Sequence, residues 1–147
     1  MILVDTSVWI DHFRQRNPTL ASLLTQLQVL AHPLVTGELA LGNLRQRDET
    51  IVLLNSLPQA AIATDVEVLK LIDSEALYGL GIGYVDAQLL AAARLTPDAY
   101  LWSDDKRLMA AAMKLDVGYT PDSANARLVT AIERLESGQG QRRDLIE

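Results

Sequence analysis

Short apolar runs alternate with longer stretches of helical spacing along this chain, and several of the apolar runs end on a carboxylate. Ile2-Leu3-Val4 reads as a buried strand that stops at Asp5. Asp5-Thr6-Ser7 supplies cap-type residues, and Val8, Trp9, Ile10 and Phe13 follow as a helix. Asn17-Pro18-Thr19 opens a second helix, with Leu20, Leu23, Leu24, Leu27 and Leu30 at helical spacing. Pro33 to Val35 reads as a short strand, and a helix from about Thr36 carries Glu38, Leu39 and Leu41. Asp48 starts another helix through Ile51, Leu54 and Leu57, which Pro58 stops. Ala60 to Ala63 is expected to be a strand, and Thr64-Asp65 caps a helix with Val66, Leu69 and Ile72 on one face. Tyr78 to Gly83 is a glycine-rich loop, followed from about Tyr84 by a helix with Val85, Leu89 and Ala92 on one stripe. Ala99 to Trp102 is the clearest later strand, and Ser103-Asp104-Asp105 caps a helix over Lys106 to Leu115. Val117 to Tyr119 is expected as a last strand.

Short strands alternating with helices predict an α/β fold around a mostly parallel sheet. Sites in such sheets form beyond the carboxyl ends of the strands. Asp5 and Asp105 fall at those ends. The expected organisation is one catalytic domain over residues 1–120, a C-terminal helix over 121–136 packed on it, and a flexible tail over 137–147.

Composition narrows the function. The 147 residues, 49% of them apolar, suffice for one domain with a real core. No apolar run reaches the ~18 residues that span a bilayer, and the Met-Ile-Leu-Val-Asp start does not read as a signal peptide. There is no cysteine, which removes disulfides and thiolate metal sites. A cytoplasmic protein without a membrane role is expected. The net charge of −6 argues against holding nucleic acid by overall charge, and leaves room for a few local basic residues.

The candidate chemistry rests on four acids: Asp5, Glu38, Asp86 and Asp105. Each has an ordinary reading alone. Asp5 is a natural N-cap, Glu38 a solvated helical residue, and Asp86 an acid in a first helical turn, where the dipole favours it. Asp104 and Asp105 compete for one cap. Gathered at one sheet edge, however, two carboxylates ~4 Å apart cost about 4 kcal/mol at an effective dielectric of 20. That is a large part of a domain's stability of roughly 5–15 kcal/mol. Such a cluster implies a cation, and an all-oxygen set without His or Cys fits Mg²⁺ or Mn²⁺ better than zinc. The expected reaction is hydrolysis of a nucleic-acid phosphodiester, with metal orienting a water and holding developing charge.

Other residues are assigned more modest parts. Thr6 and Ser7 can each cap the first helix or bond Asp5 or a metal-bound water; capping is the favoured reading for Ser7, Thr6 stays open, and Ser103 reads as a cap. His12 and His32 have no ligand spacing and read as ordinary surface or partly buried residues. Gly79, Gly81 and Gly83 do not have the spacing of a dinucleotide fingerprint and are expected to shape the approach to Asp86. Trp9 and Trp102 read as core. Arg45, Arg47, Lys106 and Arg107 are the candidates for phosphate contacts, or equally a solvated face.

Four runs together carry a family resemblance: Val4-Asp5-Thr6-Ser7-Val8-Trp9-Ile10-Asp11, Gly37-Glu38-Leu39, Gly83-Tyr84-Val85-Asp86-Ala87 and Leu101-Trp102-Ser103-Asp104-Asp105-Lys106-Arg107-Leu108. In this order and spacing the chain resembles the PIN domain, and most of all its bacterial VapC toxin branch, over about residues 1 to 120. The resemblance implies a three-layer α/β/α sandwich with a central, mostly parallel sheet. It also implies a Mg²⁺- or Mn²⁺-dependent endoribonuclease, usually a homodimer, silenced by a cognate antitoxin protein. The family's four acids fall on Asp5, Glu38, Asp86 and Asp105. The fourth follows a Ser or Thr and one variable residue, here Ser103 and Asp104, so Asp104 is placed to share the role. The hydroxyl beside the first acid matches Thr6 or Ser7. In the family the antitoxin often inserts a basic side chain among the acids; the leucine-rich helices offer a groove for a partner helix, and core packing explains those leucines equally.

Two competing readings remain. One is an aspartyl-nucleophile phosphatase with Asp5 attacking phosphorus; its general acid normally stands two places later, where this chain has Ser7. The other is a non-enzymatic binding module that pairs its acids with basic partner residues.

Overall fold

Strand β1 (Ile2–Val4) is buried along its whole length and is the middle strand of the sheet. Its three apolar residues have no polar face because both sides of a parallel sheet are covered. The computed structural model describes residues 1–121 together with 132 and 135. The expected C-terminal helix over 121–136 and the tail over 137–147 otherwise lie outside the described residues. Helices α1 (Thr6–Arg14) and α2 (Pro18–Thr25) lead to β2 (Val29–Leu30). Then follow α3 (Pro33–Leu41), α4 (Arg47–Ser56), α5 (Asp65–Ser74) and α6 (Tyr84–Leu95) before β3 (Tyr100–Trp102) and α7 (Lys106–Lys114). Both strand pairings are parallel, in the order β2-β1-β3, and register Ile2 with Val29 and with Tyr100. The fold is a three-layer α/β/α sandwich, as expected.

That strand order decides where a site can form. From β1 the chain crosses to one neighbour, β2, and then returns to the other side as β3. A crevice opens at such a reversal, beyond the carboxyl ends of the strands. Asp5 directly follows β1, its amide donating to the Trp102 carbonyl at 2.9 Å, and Ser103 to Asp105 directly follow β3.

Several local expectations are corrected. The leucine periodicity from Leu20 to Leu30 runs as helix only to Thr25. Leu27 has φ +57° and is 75% exposed, and Leu30 is buried in β2. Pairing of Val29 and Leu30 with β1 outweighs continued helical spacing. Pro33 to Val35 is not a strand. Pro33 is the first residue of α3, where a missing N–H costs nothing, and the His32 ring accepts the Leu34 amide as the cap. Ala60 to Ala63 forms no strand; a single bridge joins Ala31 to Gln59. Val117 to Tyr119 likewise reduces to one bridge, Leu101 to Gly118. On α5 the buried residue is Val68, while Val66 and Leu69 face outward. Ala63, Ala87 and Ala91 close over Val68, so the docking of α6 chose which face of α5 is buried, and the larger apolar side chains were left outside.

His32 is buried, at 1% exposure, where a surface or partly buried residue was expected. Its Nδ1 accepts the Leu34 N–H at 3.1 Å, so the ring's proton sits on Nε2, which has no partner among the described residues. Burial lowers its pKa below the ordinary 6.5. The sign follows: below pH ~6.5 the unfolded chain takes up a proton that the native ring refuses, so stability falls with falling pH. Asp104, whose carboxyl is pushed up to about 6, works in the opposite direction over the same range. The comparison with His32→Asn therefore isolates the ring. Between pH 7 and pH 5.5 the variant's thermal midpoint is expected to shift less to lower temperature than the parent's. Identical slopes in the two proteins would contradict the assignment.

Candidate active site at the strand ends

Asp5 organises the crevice. It is 8% exposed and caps α1, accepting the Thr6 amide on Oδ1 at 2.8 Å. Its Oδ2 accepts two hydroxyls, Ser7 Oγ at 2.9 Å and Ser103 Oγ at 2.7 Å. Each serine has one proton, and both protons go to the same carboxylate oxygen. The serine oxygens are left as acceptors, and they take the Asp104 amide (onto Ser7, 3.0 Å) and the Asp105 amide (onto Ser103, 3.0 Å). The Asp5 carboxyl thus accepts one amide and two hydroxyls, and the two serine oxygens pass the network on to the loop after β3. The start of α1 is tied to that loop. Ser7 and Ser103 thus hold Asp5 in place: for Ser7 this is the alternative to the favoured capping role, and for Ser103 it differs from the cap its position predicted. The Ser-x-Asp spacing at 103–105 was the available signal, and sequence distance hid its partner.

The remaining acids approach from other elements. Thr6 Oγ1 donates to Glu38 Oε1 at 3.0 Å, joining exposed Glu38 on α3 to the start of α1. Asp86, in the first turn of α6, accepts the Gly83 amide on Oδ2 at 3.1 Å. Burial first, and then the charges of Asp5 and Asp105, raise its pKa above the usual carboxylate value, against the pull of the Gly83 amide. Asp105 caps α7, with Oδ1 accepting the Arg107 and Leu108 amides at 2.9 and 3.2 Å. Asp104 turns elsewhere. Its carboxyl hydrogen-bonds that of Asp11 on α1, and this shared proton, with partial loss of hydration and the charges of Asp11 and Asp5, pushes it up to about 6. Asp11 was not among the sequence candidates; it lies two turns along α1 from Asp5 on the side facing the post-β3 loop.

The structure therefore brings Asp5, Asp86 and Asp105 into one electrostatic field and links Glu38 to it through Thr6. Among the described residues no three acidic or histidine side chains stand close enough to close around a metal ion as placed. The carboxylates instead take amide and hydroxyl donors at their own caps. Asp86 Oδ1, Asp105 Oδ2 and Glu38 Oε2 take no hydrogen bond from another described residue. An oxygen-only donor set with uncompensated negative charge fits a hard divalent cation. A cleft of about 1120 Å³ meets this region only at Glu38 and runs past Ile10, Phe13, Arg45 and Leu53. Among the described residues no helix is long and apolar enough to cross a membrane.

Comparison with known proteins agrees with this architecture. The PIN domain family model matches residues 2–115, which include each of the four acids and their supporting serines. Ribonuclease VapC32 of Mycobacterium tuberculosis, in each of two strains, is 50% identical over 111 residues, 76% of this chain and 90% of the relative. With a parallel sheet that delivers Asp5 and Asp105 to one edge, and a family match across nearly the whole described chain, this protein belongs to the PIN-domain family, on its VapC branch.

Proposed function

We propose that this chain is an endoribonuclease that hydrolyses RNA phosphodiester bonds with Mg²⁺ or Mn²⁺, and that it is the toxin of a toxin–antitoxin pair. The observation that carries this reading is the shared field of Asp5, Asp86 and Asp105 at the carboxyl edge of the sheet, in a chain 50% identical over 111 residues to a named ribonuclease. Ribonucleases of this branch generally depend on a divalent metal. Asp5, Glu38, Asp86 and Asp105 are the residues that hold it. Bound there, the ion lowers the pKa of a water and stabilises charge developing on the phosphodiester.

The chain's own part is to tether the acids individually, and from those held positions they would close around the ion. Ser7 and Ser103 tether the Asp5 carboxylate. Thr6 does the same for Glu38, and the Gly83 amide for Asp86. Asp104 joins the site through Asp11 and through its effect on the local field. The aspartyl-phosphatase alternative is weakened by Ser7, which stands where a general acid is needed and instead donates its proton to Asp5. RNA is the substrate, a cognate antitoxin protein the regulator, a homodimer the expected assembly and the cytoplasm the expected compartment. Residues 1–120 form the catalytic unit.

The test uses purified chain and total cellular RNA, with Mg²⁺ or Mn²⁺ supplied or chelated. New RNA ends are expected only with metal present, and the metal is expected to raise the thermal midpoint because it binds the native state alone. Cleavage that persists in excess EDTA, or intact RNA in every metal, would overturn the proposal.

A further inference from the structure

Four basic residues were candidates for phosphate contact, and the structure separates them. Arg47, at the start of α4, is committed elsewhere: its Nε donates to the Ala40 carbonyl on α3 at 3.0 Å and its guanidinium pairs with Asp48 at 3.7 Å. Arg45 lines the cleft that meets the site only at Glu38. Lys106 is exposed at the first position of α7. Arg107 differs from all three. Its backbone amide is fixed by Asp105, and its side chain lies back over Gly81, in the loop that leads to Asp86.

Gly81 is shaped for that contact in two ways. Its φ is +78°, a region that disfavours any residue with a Cβ. A Cβ built there would also meet Arg107 Nη1 at 2.6 Å, Cδ at 3.1 Å and Cζ at 3.2 Å. The guanidinium therefore rests in the crease between the loop feeding Asp86 and the helix start that holds Asp105. A cation in the first turn of a helix is disfavoured by the dipole. Yet Arg107 forms no ion pair among the described residues, although two carboxylates flank the crease; the ion pairs among those residues are Arg47–Asp48 and Arg94–Glu75, both elsewhere. A guanidinium carries five donors in a planar fork that matches a phosphate bidentately. Its charge also opposes the negative potential that the acids present to an approaching RNA backbone.

We propose that Arg107, seated over Gly81, forms a phosphate-binding subsite that positions the RNA backbone beside the carboxylates. The inference rests on the ribonuclease reading above. Gly81 is a positioning residue whose role is to leave room for the guanidinium.

The test compares Arg107→Ala, Arg107→Lys and Gly81→Ala with the parent on an end-labelled RNA oligonucleotide spanning a cleavage position mapped with the parent chain. Arg107→Ala is expected to lower kcat/KM about 10- to 100-fold, the scale of one charge-assisted bidentate contact. Arg107→Lys, which keeps the charge and loses the fork, is expected to recover part of it, and Gly81→Ala to resemble Arg107→Ala. Binding of the same oligonucleotide is then measured in an Asp5→Asn background as salt is varied. Loss of Arg107 is expected to reduce the slope of log affinity against log salt by about 0.7, one phosphate contact to a single strand. Full activity of Arg107→Ala overturns the subsite while leaving the ribonuclease reading standing. Equal losses in Ala and Lys with an unchanged salt slope overturn it too, because they mark a structural part. A parent chain that cuts no RNA overturns the ribonuclease reading and this subsite with it.

Discussion

Asp5→Asn is expected to lower RNA cleavage on the order of a thousandfold, the several kcal/mol that a correctly held metal contributes to a transition state. The fold should survive. Asn has the same shape, its Oδ1 can still accept the Thr6 amide, and its NH₂ can donate to the Ser7 and Ser103 oxygens once those hydroxyls rotate. One negative charge leaves a region where Asp5 and Asp105 already raise the Asp86 pKa. The melting temperature without metal should therefore hold or rise slightly, and the stabilisation by Mg²⁺ should vanish. Glu38→Gln removes the acid held by Thr6 and should also abolish most cleavage. The decisive measurement is cleavage rate beside melting curves with and without metal. Full activity in both purified variants would remove these acids from the reaction. An undiminished Mg²⁺ response in Asp5→Asn would place the ion elsewhere.

Trp9→Ala is expected to cost about 3–5 kcal/mol, the range for deleting a large buried aromatic. The Trp9 side chain is fully buried, and its ring stacks on Phe13 at 5.9 Å between centroids and 27° between planes. Few neighbours can close so large a void, since β1 and α3 pack on the same core. The loss would consume much of a domain stability of roughly 5–15 kcal/mol. Trp9 Nε1 is itself buried without a partner among the described residues. Trp9→Phe, which removes that orphaned donor along with part of the ring, should consequently be much milder. Denaturant titration distinguishes them. A midpoint for Trp9→Ala close to the parent's would show that α1 is not anchored here. The consequence reaches the site, because α1 begins at the Asp5 cap.

Where local rules decide structure, the chain was legible. Ile2-Leu3-Val4 and Tyr100-Leu101-Trp102 read as buried strands because unbroken short apolar runs suit a sheet covered on both faces. Asp5, Asn17, Thr64 and Asp105 read as helix starts because a cap needs only its own neighbours, and all four cap helices. The failures share one cause. Leu30 continues a helical leucine spacing perfectly well, and its place in β2 depends on the edge of β1 lying alongside. Ala60 to Ala63 looks like a strand, but the partner edge accepts pairing only at Gln59. Val66 and Leu69 made a plausible buried stripe until α6 packed on the other side of α5.

For the site, the residues themselves determined the chemical type: carboxylates at strand ends and helix starts, with neither cysteine nor a histidine pair to bind a softer metal. They also indicated which acids to consider, since caps and apolar runs are local patterns. Only the tertiary structure decided which side chains share a field. Ser103 reaches Asp5 across 98 positions of chain, Thr6 reaches Glu38 across 32, and Asp104 turns to Asp11. Gly81 became informative only once Arg107 lay against it. Hydrogen bonds and Coulomb forces act through space over a few ångströms, and that distance is set by how the strands order themselves in the sheet.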